Sequence, residues 1–427
     1  MKVIIMAGGK GTRISEISND RIPKPMIKID NKPILQHQIE CLKNQGFADF
    51  ILVIGHLGHV IQEYFGDGSQ FGVNIQYYIE MNPLGTAGSL YYLKKDLTED
   101  FIVMNGDVIF DIDFQKFLEF HSQKGSLATL FVHPNSHPYD SSLISLDSEN
   151  RVAFWYAKKQ LPDRYHNCVN AGIHILSPII LNNIKEAKKL DLDNDILKPL
   201  IASKKVYGYK SPEYVYDMGT PERLFKATQD WYSGKIHARN LLQKQKAIFL
   251  DRDGTLNIYK GFISKPEEIE LISGVSEAIK LINESNYLAI VITNQPVIAR
   301  GECSLNELDE IHAQLETILG EYGGYLDDIL FCPHHPDKGF PNERIEYKIN
   351  CSCRKPNPGL ILQAAEKYNI DLSQSYMIGD NISDVDTGLN AGCQSILLSK
   401  NDNKMKKDII VYPDLLSFVH ECINENV

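Results

Sequence analysis

Short apolar runs alternate along this chain with longer stretches of helical periodicity, the pattern of an α/β architecture. In the first half, residues 2–7 (KVIIMA), 49–55 (DFILVIG) and 100–107 (DFIVMNGD) each contain an unbroken run of four or five apolar residues. A strand apolar on both faces is covered on both faces, so these runs predict buried parallel strands. A second series starts at 246–254 (KAIFLDRDG) and continues through 287–294 (YLAIVITN) and 375–380 (SYMIGD) to 395–398 (SILL). Between the series, residues 221–245 read as polar helix with Gly234 as a break, and 413–427 reads as one closing helix. The pattern predicts a first domain over 1–230, a helical linker over 231–245 and a second domain over 246–427, with no internal repeat.

Composition narrows the class. A chain of 427 residues exceeds one typical core and suits two domains. Hydrophobic residues at 43% and charged residues at 23% fit a folded soluble protein. A formal charge of −11 argues against a nucleic-acid partner, because phosphate backbones reward clustered Lys and Arg. Small anionic substrates stay open, since local loops and metals override the global sign. No apolar run approaches the ~20 residues that cross a bilayer. The opening residues pass directly into a glycine-rich loop, which predicts a first strand and not a secretory leader. Eight cysteines are too few for a disulfide scaffold in a chain of this length. Cys41, Cys168, Cys303 and Cys422 are scattered, Cys393 lies in an AGC turn, and Cys332, Cys351 and Cys353 gather around His334. That pattern predicts a reducing cytoplasm.

In both series the unusual residues fall at carboxyl ends of strands, where open α/β sheets bind ligands. The first group begins with Gly8, Gly9, Gly11, Thr12 and Arg13 after the first strand. Glycines let backbone N–H groups approach phosphate, and Arg13 offers a fork of donors. Alone, such a loop is an ordinary strand-to-helix turn. Pro23 and Pro25 hold Lys24 in an extended segment, while Asp107 and Asp217 each follow a strand-like run and suit a divalent metal. Asp217 read singly could instead start the helix after it. In the second group, Asp251 and Asp253 leave a strand two residues apart, as a nucleophile and an acid/base require. Thr293 and Asn294 end the next strand with a hydroxyl and an amide, Lys355 supplies positive charge, and Asp380 with Asp384 completes a carboxylate cluster for Mg²⁺. Cys332, His334, Cys351 and Cys353 form two ligand pairs that suit a structural zinc, with His335 as the alternative to His334 and metal-free thiols as the plainer reading. His56, His59, His133, His137 and His174 show no ligand spacing.

The GGxGTR loop, PKPM, Leu84-Gly85-Thr86-Ala87-Gly88, the NGD turn, Asn170-Ala171-Gly172 and YDMGTP occur in an order that resembles the sugar-phosphate nucleotidyltransferases. The resemblance covers about residues 1–230 and implies a Rossmann-like, GT-A-like mixed sheet. It also implies that Gly8, Gly9, Gly11, Thr12 and Arg13 cradle nucleotide phosphates, Lys24 neutralises the α-phosphate, and Gly85 with Thr86 lies along base and ribose. Asp107 and Asp217 would hold Mg²⁺, and Asn170 and Gly172 would face the sugar. Family members commonly carry a Glu-Lys pair where this chain reads Trp155-Tyr156-Ala157-Lys158-Lys159, so the acceptor sugar is open, and Lys158 or Lys159 is the candidate for its phosphate, with a solvated charge pair as the plainer reading.

DRDGT followed by GDNISD resembles the haloacid-dehalogenase phosphatases over about residues 245–400. This implies a parallel Rossmann-like sheet with a small zinc loop and, from the short interval between Asp251 and Thr293, no large cap. Asp251 would attack phosphorus and Asp253 would protonate the leaving oxygen. Mg²⁺ would be held by Asp251, the carbonyl of Asp253 and Asp380, with Asp384 in support. Thr293, Asn294 and Lys355 would bind the phosphoryl group. Cys353-Arg354-Lys355-Pro356 and Ala299-Arg300-Gly301 look like the heptose bisphosphate phosphatase branch, which assigns Arg300 and Arg354 to the remote phosphate or sugar hydroxyls; Pro296-Val297 departs from that branch's Ser-Gly.

A phosphatase that turns a sugar 1,7-bisphosphate into a 1-phosphate makes a nucleotidyltransferase substrate. The joint expectation is removal of the 7-phosphate of D-glycero-D-manno-heptose 1,7-bisphosphate, then reaction of the 1-phosphate with GTP to give GDP-heptose. One rival keeps both activities on another sugar phosphate with CTP or UTP. Another is a non-catalytic nucleotide-sugar regulator, which would predict a broken catalytic set. The partners expected are nucleoside triphosphate and sugar phosphates, with a homo-oligomer left open.

Overall fold

The computed structural model describes residues 1–9, 22–157, 160–400 and 409–423. Gly11, Thr12, Arg13, Lys158 and Lys159 lie outside the described residues.

The chain divides into two compact units. The first comprises Met1–His133, Ile144–Trp155 and Asn170–Asn240. Its main strands are β1 (Val3–Met6), β2 (Asp49–Ile54), β3 (Asn74–Ile79), β4 (Phe101–Asn105), β5 (Val108–Asp111), β6 (Ala128–His133), β7 (Val169–Leu176), β8 (Val206–Lys210) and β9 (Tyr214–Asp217), beside two short hairpin pairs. Seven of them form one sheet in the order β8-β6-β7-β4-β1-β2-β3. The three apolar runs become β1, β2 and β4, parallel to one another with Val3 opposite Phe50 and Ile102. The sheet is mixed because β7 runs antiparallel to β4. Val3, Ile5, Leu52, Ile102 and Met104 are buried in its core. The helix Ile34–Asn44 packs there through Leu35, Ile39 and Leu42, spaced to share one face. Truncating one of these to Ala costs ~2–5 kcal/mol in a close-packed core.

The second unit comprises Pro134–Leu143, Tyr156–Val169 and Leu241–Val427. Its sheet uses β10 (Lys246–Leu250), β11 (Tyr287–Asn294), β12 (Asp328–Cys332), β13 (Tyr376–Gly379), β14 (Gln394–Leu398) and β15 (Ile410–Tyr412). The order is β12-β11-β10-β13-β14-β15 and every pairing is parallel. Ala247–Leu250 is buried throughout, as a central strand covered by helices on both faces requires.

The chain passes from the first unit to the second between Asn240 and Leu241, inside the stretch expected as a linker. Gly234 does break that stretch: at φ 78° it separates the helices Pro221–Tyr232 and Lys235–Ala238. The two short segments near 134–143 and 156–169 join the second unit from the first half of the chain, an excursion that hydrophobic periodicity does not announce. The closing helix spans Leu415–Cys422. Among the described residues no helix is long and apolar enough to cross a membrane.

Candidate active sites

In the first unit β1 lies between β2 and β4, so the loops leaving it diverge and open a crevice at its carboxyl end. The cleft has a volume of about 420 Å³ and is lined by Gly8, Gly9, Lys24, Gly85, Thr86 and Asp107 from the expected set, with Glu80 and Asn105 beside them. Lys24 begins the short turn Lys24–Met26, flanked by Pro23 and closed by the Ile27 N–H to the Lys24 carbonyl. The turn buries the lysine stem and directs Nζ to an ion pair with Asp107, 3.7 Å from Asp217 Oδ1. Arg223 Nη1 donates to Asp217 Oδ2 at 2.7 Å. Two carboxylates this close repel unless a cation intervenes, and Lys24 supplies it. Thr220, not Asp217, caps the following helix.

The NGD turn is pinned by groups whose identity the sequence did not single out. Gly106 N–H donates to the Met6 carbonyl at 3.0 Å, and Gln38 Nε2 reaches the carbonyls of Asn105 and Val108 at 2.9 and 2.6 Å. The 84–88 loop is fixed from one side by residues 188–192. Gly85 has φ 76°, and a Cβ there would stand 2.3 Å from the Leu190 carbonyl oxygen, so both conformation and space demand glycine. Leu190 N–H donates to the Leu84 carbonyl at 2.9 Å and Leu192 N–H to Thr86 Oγ1 at 2.7 Å.

The same segment reaches the expected sugar residue. Asn170 Nδ2 faces Asp193 at 3.3 and 3.4 Å, while its Oδ1 accepts from Gly172 N–H at 3.2 Å and pairs with His174 Nε2 at 3.1 Å. Burial pushes His174 down to about 4, so the neutral ring donates from Nε2 and fixes which way the Asn170 amide points. His174 lacked ligand spacing in the sequence because it acts on Asn170, four residues away on the same face of β7, and side chains sharing a strand face are too common to signal anything.

In the second unit β10 is likewise flanked on both sides, by β11 and β13. The cleft at its carboxyl end, about 390 Å³, is lined by Asp251, Asp253, Thr293, Asn294, Arg354, Lys355, Asp380 and Asp384. Lys355 Nζ lies 2.7 Å from Asp251 Oδ1 and 2.6 Å from Asp384 Oδ1. Burial pushes Asp251 up to about 6, with Lys355 opposing and Asp384 adding to the rise. Asp380 is raised by burial and by Asp251. Burial alone would lower Lys355, but Asp251 and Asp384 outweigh it and hold the ammonium charged. Gly254 permits the approach of Asp380: at φ 87° it carries no Cβ, which would stand 2.2 Å from Asp380 Oδ2. One oxygen from each of Asp251, Asp380 and Asp384 lies within 4.8 Å of the others, a donor set for a hard divalent ion.

Other expected residues have more specific surroundings. Asn294 spends its amide on the neighbouring loop, donating to the Lys355 carbonyl at 3.2 Å and accepting from Lys355 N–H at 3.0 Å. It thereby sets the height of Lys355. Arg300 is sandwiched between Phe262 and Phe340, its guanidinium 3.8 and 4.4 Å from their ring centroids. Arg354 donates to the His334 carbonyl at 3.1 Å at the cleft wall. The Asp253 carboxylate turns to Arg252, Gln295 and Asn257, partners that sequence reading passed over. No large cap intervenes between β10 and the helix Val275–Glu284; loops bearing Tyr259 and Phe262 form the rim.

Beside this cleft Cys332, His334, Cys351 and Cys353 converge, with ligand atoms within 4.8 Å of one another. The three sulfurs stand 3.2–3.5 Å apart and His334 Nδ1 is 3.3 Å from Cys353 Sγ. A tetrahedral site with Zn–S near 2.3 Å has edges of roughly 3.8 Å, and three thiols and an imidazole at these spacings are a donor set that could hold such an ion. His335 instead accepts from the Asp337 N–H at 3.2 Å.

Comparison with known proteins agrees with this division. A nucleotidyl transferase family model matches residues 2–233, and a HAD-hydrolase-like model matches residues 352–414. The D-glycero-beta-D-manno-heptose-1,7-bisphosphate 7-phosphatase of Haemophilus ducreyi is 36% identical over 185 residues, covering 41% of this chain and 99% of that protein. A UTP–glucose-1-phosphate uridylyltransferase of Synechocystis is 31% identical over 217 residues, 48% of this chain, and this chain spans 56% of its length. Among solved structures, HddC from Yersinia pseudotuberculosis aligns with 54% of this chain and 99% of its own at 29% identity and a TM-score of 0.46.

Proposed function

Because the chain belongs to the nucleotidyl transferase family through its first half and to the HAD-like hydrolases through its second, we propose that it is a bifunctional enzyme of sugar-nucleotide synthesis. The second unit removes the 7-phosphate of D-glycero-D-manno-heptose 1,7-bisphosphate. The first joins the resulting heptose 1-phosphate to GTP, giving GDP-heptose and pyrophosphate. The observation that carries the reading is the Asp251–Lys355–Asp384 constellation in a unit whose relative, matched over nearly its whole length, is a heptose bisphosphate phosphatase.

In the phosphatase, a carboxylate oxygen of Asp251 attacks phosphorus while Lys355 and the Thr293 hydroxyl hold the phosphoryl oxygens. Asp253 gives a proton to the departing sugar oxygen, then takes one from the water that opens the aspartyl-phosphate. Asp251, Asp380 and the Asp253 carbonyl would hold Mg²⁺, with Asp384 in support; bound there, the ion neutralises phosphoryl charge. The close-set carboxylates and the space left by Gly254 fit that role. Cys332, His334, Cys351 and Cys353 would hold a structural zinc that braces the loop before Lys355.

In the transferase, an oxygen of the sugar 1-phosphate displaces pyrophosphate at the α-phosphorus, with no covalent enzyme intermediate. Both reactants are anions, so alignment and charge neutralisation dominate. Gly8 and Gly9 present backbone to the triphosphate, Gly85 and Thr86 flank base and ribose, and Asn170 with Gly172 meets the sugar; Gly11, Thr12, Arg13 and Lys158 complete the set in this reading. Asp107 and Asp217 would hold Mg²⁺ there, which would supply positive charge to the phosphates, and Lys24 neutralises the α-phosphate. The work belongs in a reducing cytoplasm, in keeping with free cysteines. A second reading, UTP as donor, is favoured by the uridylyltransferase relative.

The test is pyrophosphate release with Mg²⁺ and each anomer of D-glycero-D-manno-heptose 1-phosphate, each nucleoside triphosphate supplied separately. Turnover with GTP alone supports the reading. Turnover with UTP alone replaces the donor, and none with any of the four removes heptose 1-phosphate as the acceptor.

A further inference from the structure

Arg252 stands between the two aspartates at the end of β10 and is wholly buried. A guanidinium removed from water persists only where fixed acceptors offset its lost hydration. The acceptor here is not the nucleophile. Arg252 Nε donates to Asp253 Oδ1 at 3.1 Å, and Nη2 donates to Oδ1 and Oδ2 at 3.0 and 2.8 Å. Nη2 also donates to Gln295 Oε1 at 3.0 Å. Gln295, buried too, turns its Nε2 to Asp253 Oδ2 and to Thr293 Oγ1, both at 2.9 Å. Asn257 Nδ2 closes the set on Oδ1 at 3.1 Å.

Both oxygens of Asp253 are thus held by side chains that do not themselves carry out the reaction. The arginine main chain is fixed as well, since its carbonyl accepts from the N–H groups of Leu256 and Asn257 at 2.9 and 3.1 Å. Asp251 has its own cation in Lys355, and Arg252 does not line the cleft. Arg252 therefore has a geometric task distinct from substrate binding, while Gln295 connects it to the lining of the cleft. We propose that Arg252, acting with Gln295, is the positioning residue of the phosphatase acid/base, fixing the direction of the Asp253 carboxylate relative to the leaving oxygen without touching substrate. The planar fork spans both carboxylate oxygens and the Gln295 amide at once, which a lysine point charge cannot do. Thr293 enters the same network through Gln295, so the acid/base and a phosphoryl-binding hydroxyl are set together.

This inference rests on the phosphatase reading, and leaving-group chemistry separates the two. A sugar alkoxide needs the Asp253 proton to depart; p-nitrophenolate does not. In the full-length protein, Arg252→Met and Arg252→Lys are each expected to lower kcat on heptose 1,7-bisphosphate by at least about ten-fold with little change in KM. The pre-steady-state burst of p-nitrophenolate from p-nitrophenyl phosphate should stay within about two-fold of the unmodified protein, because that first step bypasses the proton donor. Gln295→Leu should shift the ratio of the two substrates in the same direction by less, and it carries the test if the arginine variants do not fold. Equal losses on both substrates, or full recovery with lysine, would overturn the positioning role. Failure of the unmodified protein to release phosphate from either substrate would overturn the phosphatase reading, and the inference with it.

Discussion

The two clefts sit at equivalent places in their sheets yet surround phosphorus differently. At the end of β1 the carboxylates keep contact with water, Asp107 at 29% and Asp217 at 41% side-chain exposure, and only Lys24 is buried. At the end of β10 the corresponding groups are withdrawn: Asp251 is 13% exposed, Lys355 3% and Asp384 1%. The difference follows from where the attacking atom comes from. In the proposed transferase both reacting groups arrive on substrates, so the protein has only to align anions and offset their charge. In the proposed phosphatase the protein would supply the nucleophile, and a carboxylate becomes a better one when water is stripped from it. Burial raises Asp251 to about 6, and Lys355 keeps that rise from going further. Solvent exposure of the acids therefore tracks whether the protein itself enters the bond being made.

The sharpest way to break this contrast is to remove one acid from each site and assay both activities. Asp251→Asn is expected to lower phosphate release by on the order of 10⁴-fold, since it deletes the atom that attacks. Asp107→Ala is expected to lower pyrophosphate release by ~10²–10³-fold, the scale of one lost electrostatic contact to a developing charge. Each variant should leave the other activity intact. A larger loss from Asp107→Ala than from Asp251→Asn would reverse the ranking and with it the explanation from burial.

A smaller effect is expected from the cysteine cluster, which sits only in the second unit. Purified protein should contain zinc near stoichiometry with the chain. Cys351→Ser should lower zinc content and hasten heat inactivation of the phosphatase, while pyrophosphate release survives the same heating. Metal-linked stability in such sites is folding free energy, so the loss should be several kcal/mol for the local loop. Metal-free protein with the same heat resistance as the Ser variant would return the four residues to ordinary buried thiols.

The chemistry of both clefts was more legible in the sequence than its support. Strands such as β1 and β10 declare themselves because each carries an unbroken run of at least four apolar residues and a glycine or aspartate follows within two positions, a conjunction few loops share. Asp251 and Asp380 were readable for the same reason, as charged residues directly after a buried strand, whereas Lys355 sits in a loop and was singled out only within Cys353-Arg354-Lys355-Pro356. Gln38, His174 and Gln295 were not. Each acts through a few hydrogen bonds on neighbours far off in sequence or trivially near it, and neither case leaves a periodic or compositional trace. Arg252 hides differently, since an arginine next to an aspartate normally marks a solvated turn. The excursions into the second unit were illegible because pairing partners 150 residues apart, such as Arg164 and Gln314, share no local pattern.

Those excursions give the finest test of where the second unit ends. Residues 164–166 lie along the helix Leu305–Glu321: Arg164 Nε donates to Gln314 Oε1 at 3.0 Å and Tyr165 N–H to Thr317 Oγ1 at 2.9 Å. His166 Nδ1 is 2.5 Å from Glu316 Oε2, and its Nε2 is 3.1 Å from Asp309 Oδ1. Burial opposes charge on this ring, but Glu316 and Asp309 outweigh it and push the imidazole up to about 10. An unfolded histidine titrates near about 6.5. The folded state therefore holds the proton more tightly, and the stability gained is complete below about pH 6.5, declines above it and is lost as pH rises through about 10. His166→Gln is expected to destabilise the phosphatase unit by about 1–2 kcal/mol at pH 6, a modest value because Asp309 stays well exposed, and by almost nothing at pH 10. Urea titrations at pH 6, 8 and 10, read by residual phosphatase and pyrophosphate-release activities in parallel, measure this directly. A gap that stays constant with pH would mean that packing, not the ion pairs, holds the segment; a gap seen in the transferase activity instead would assign residues 156–169 to the first unit.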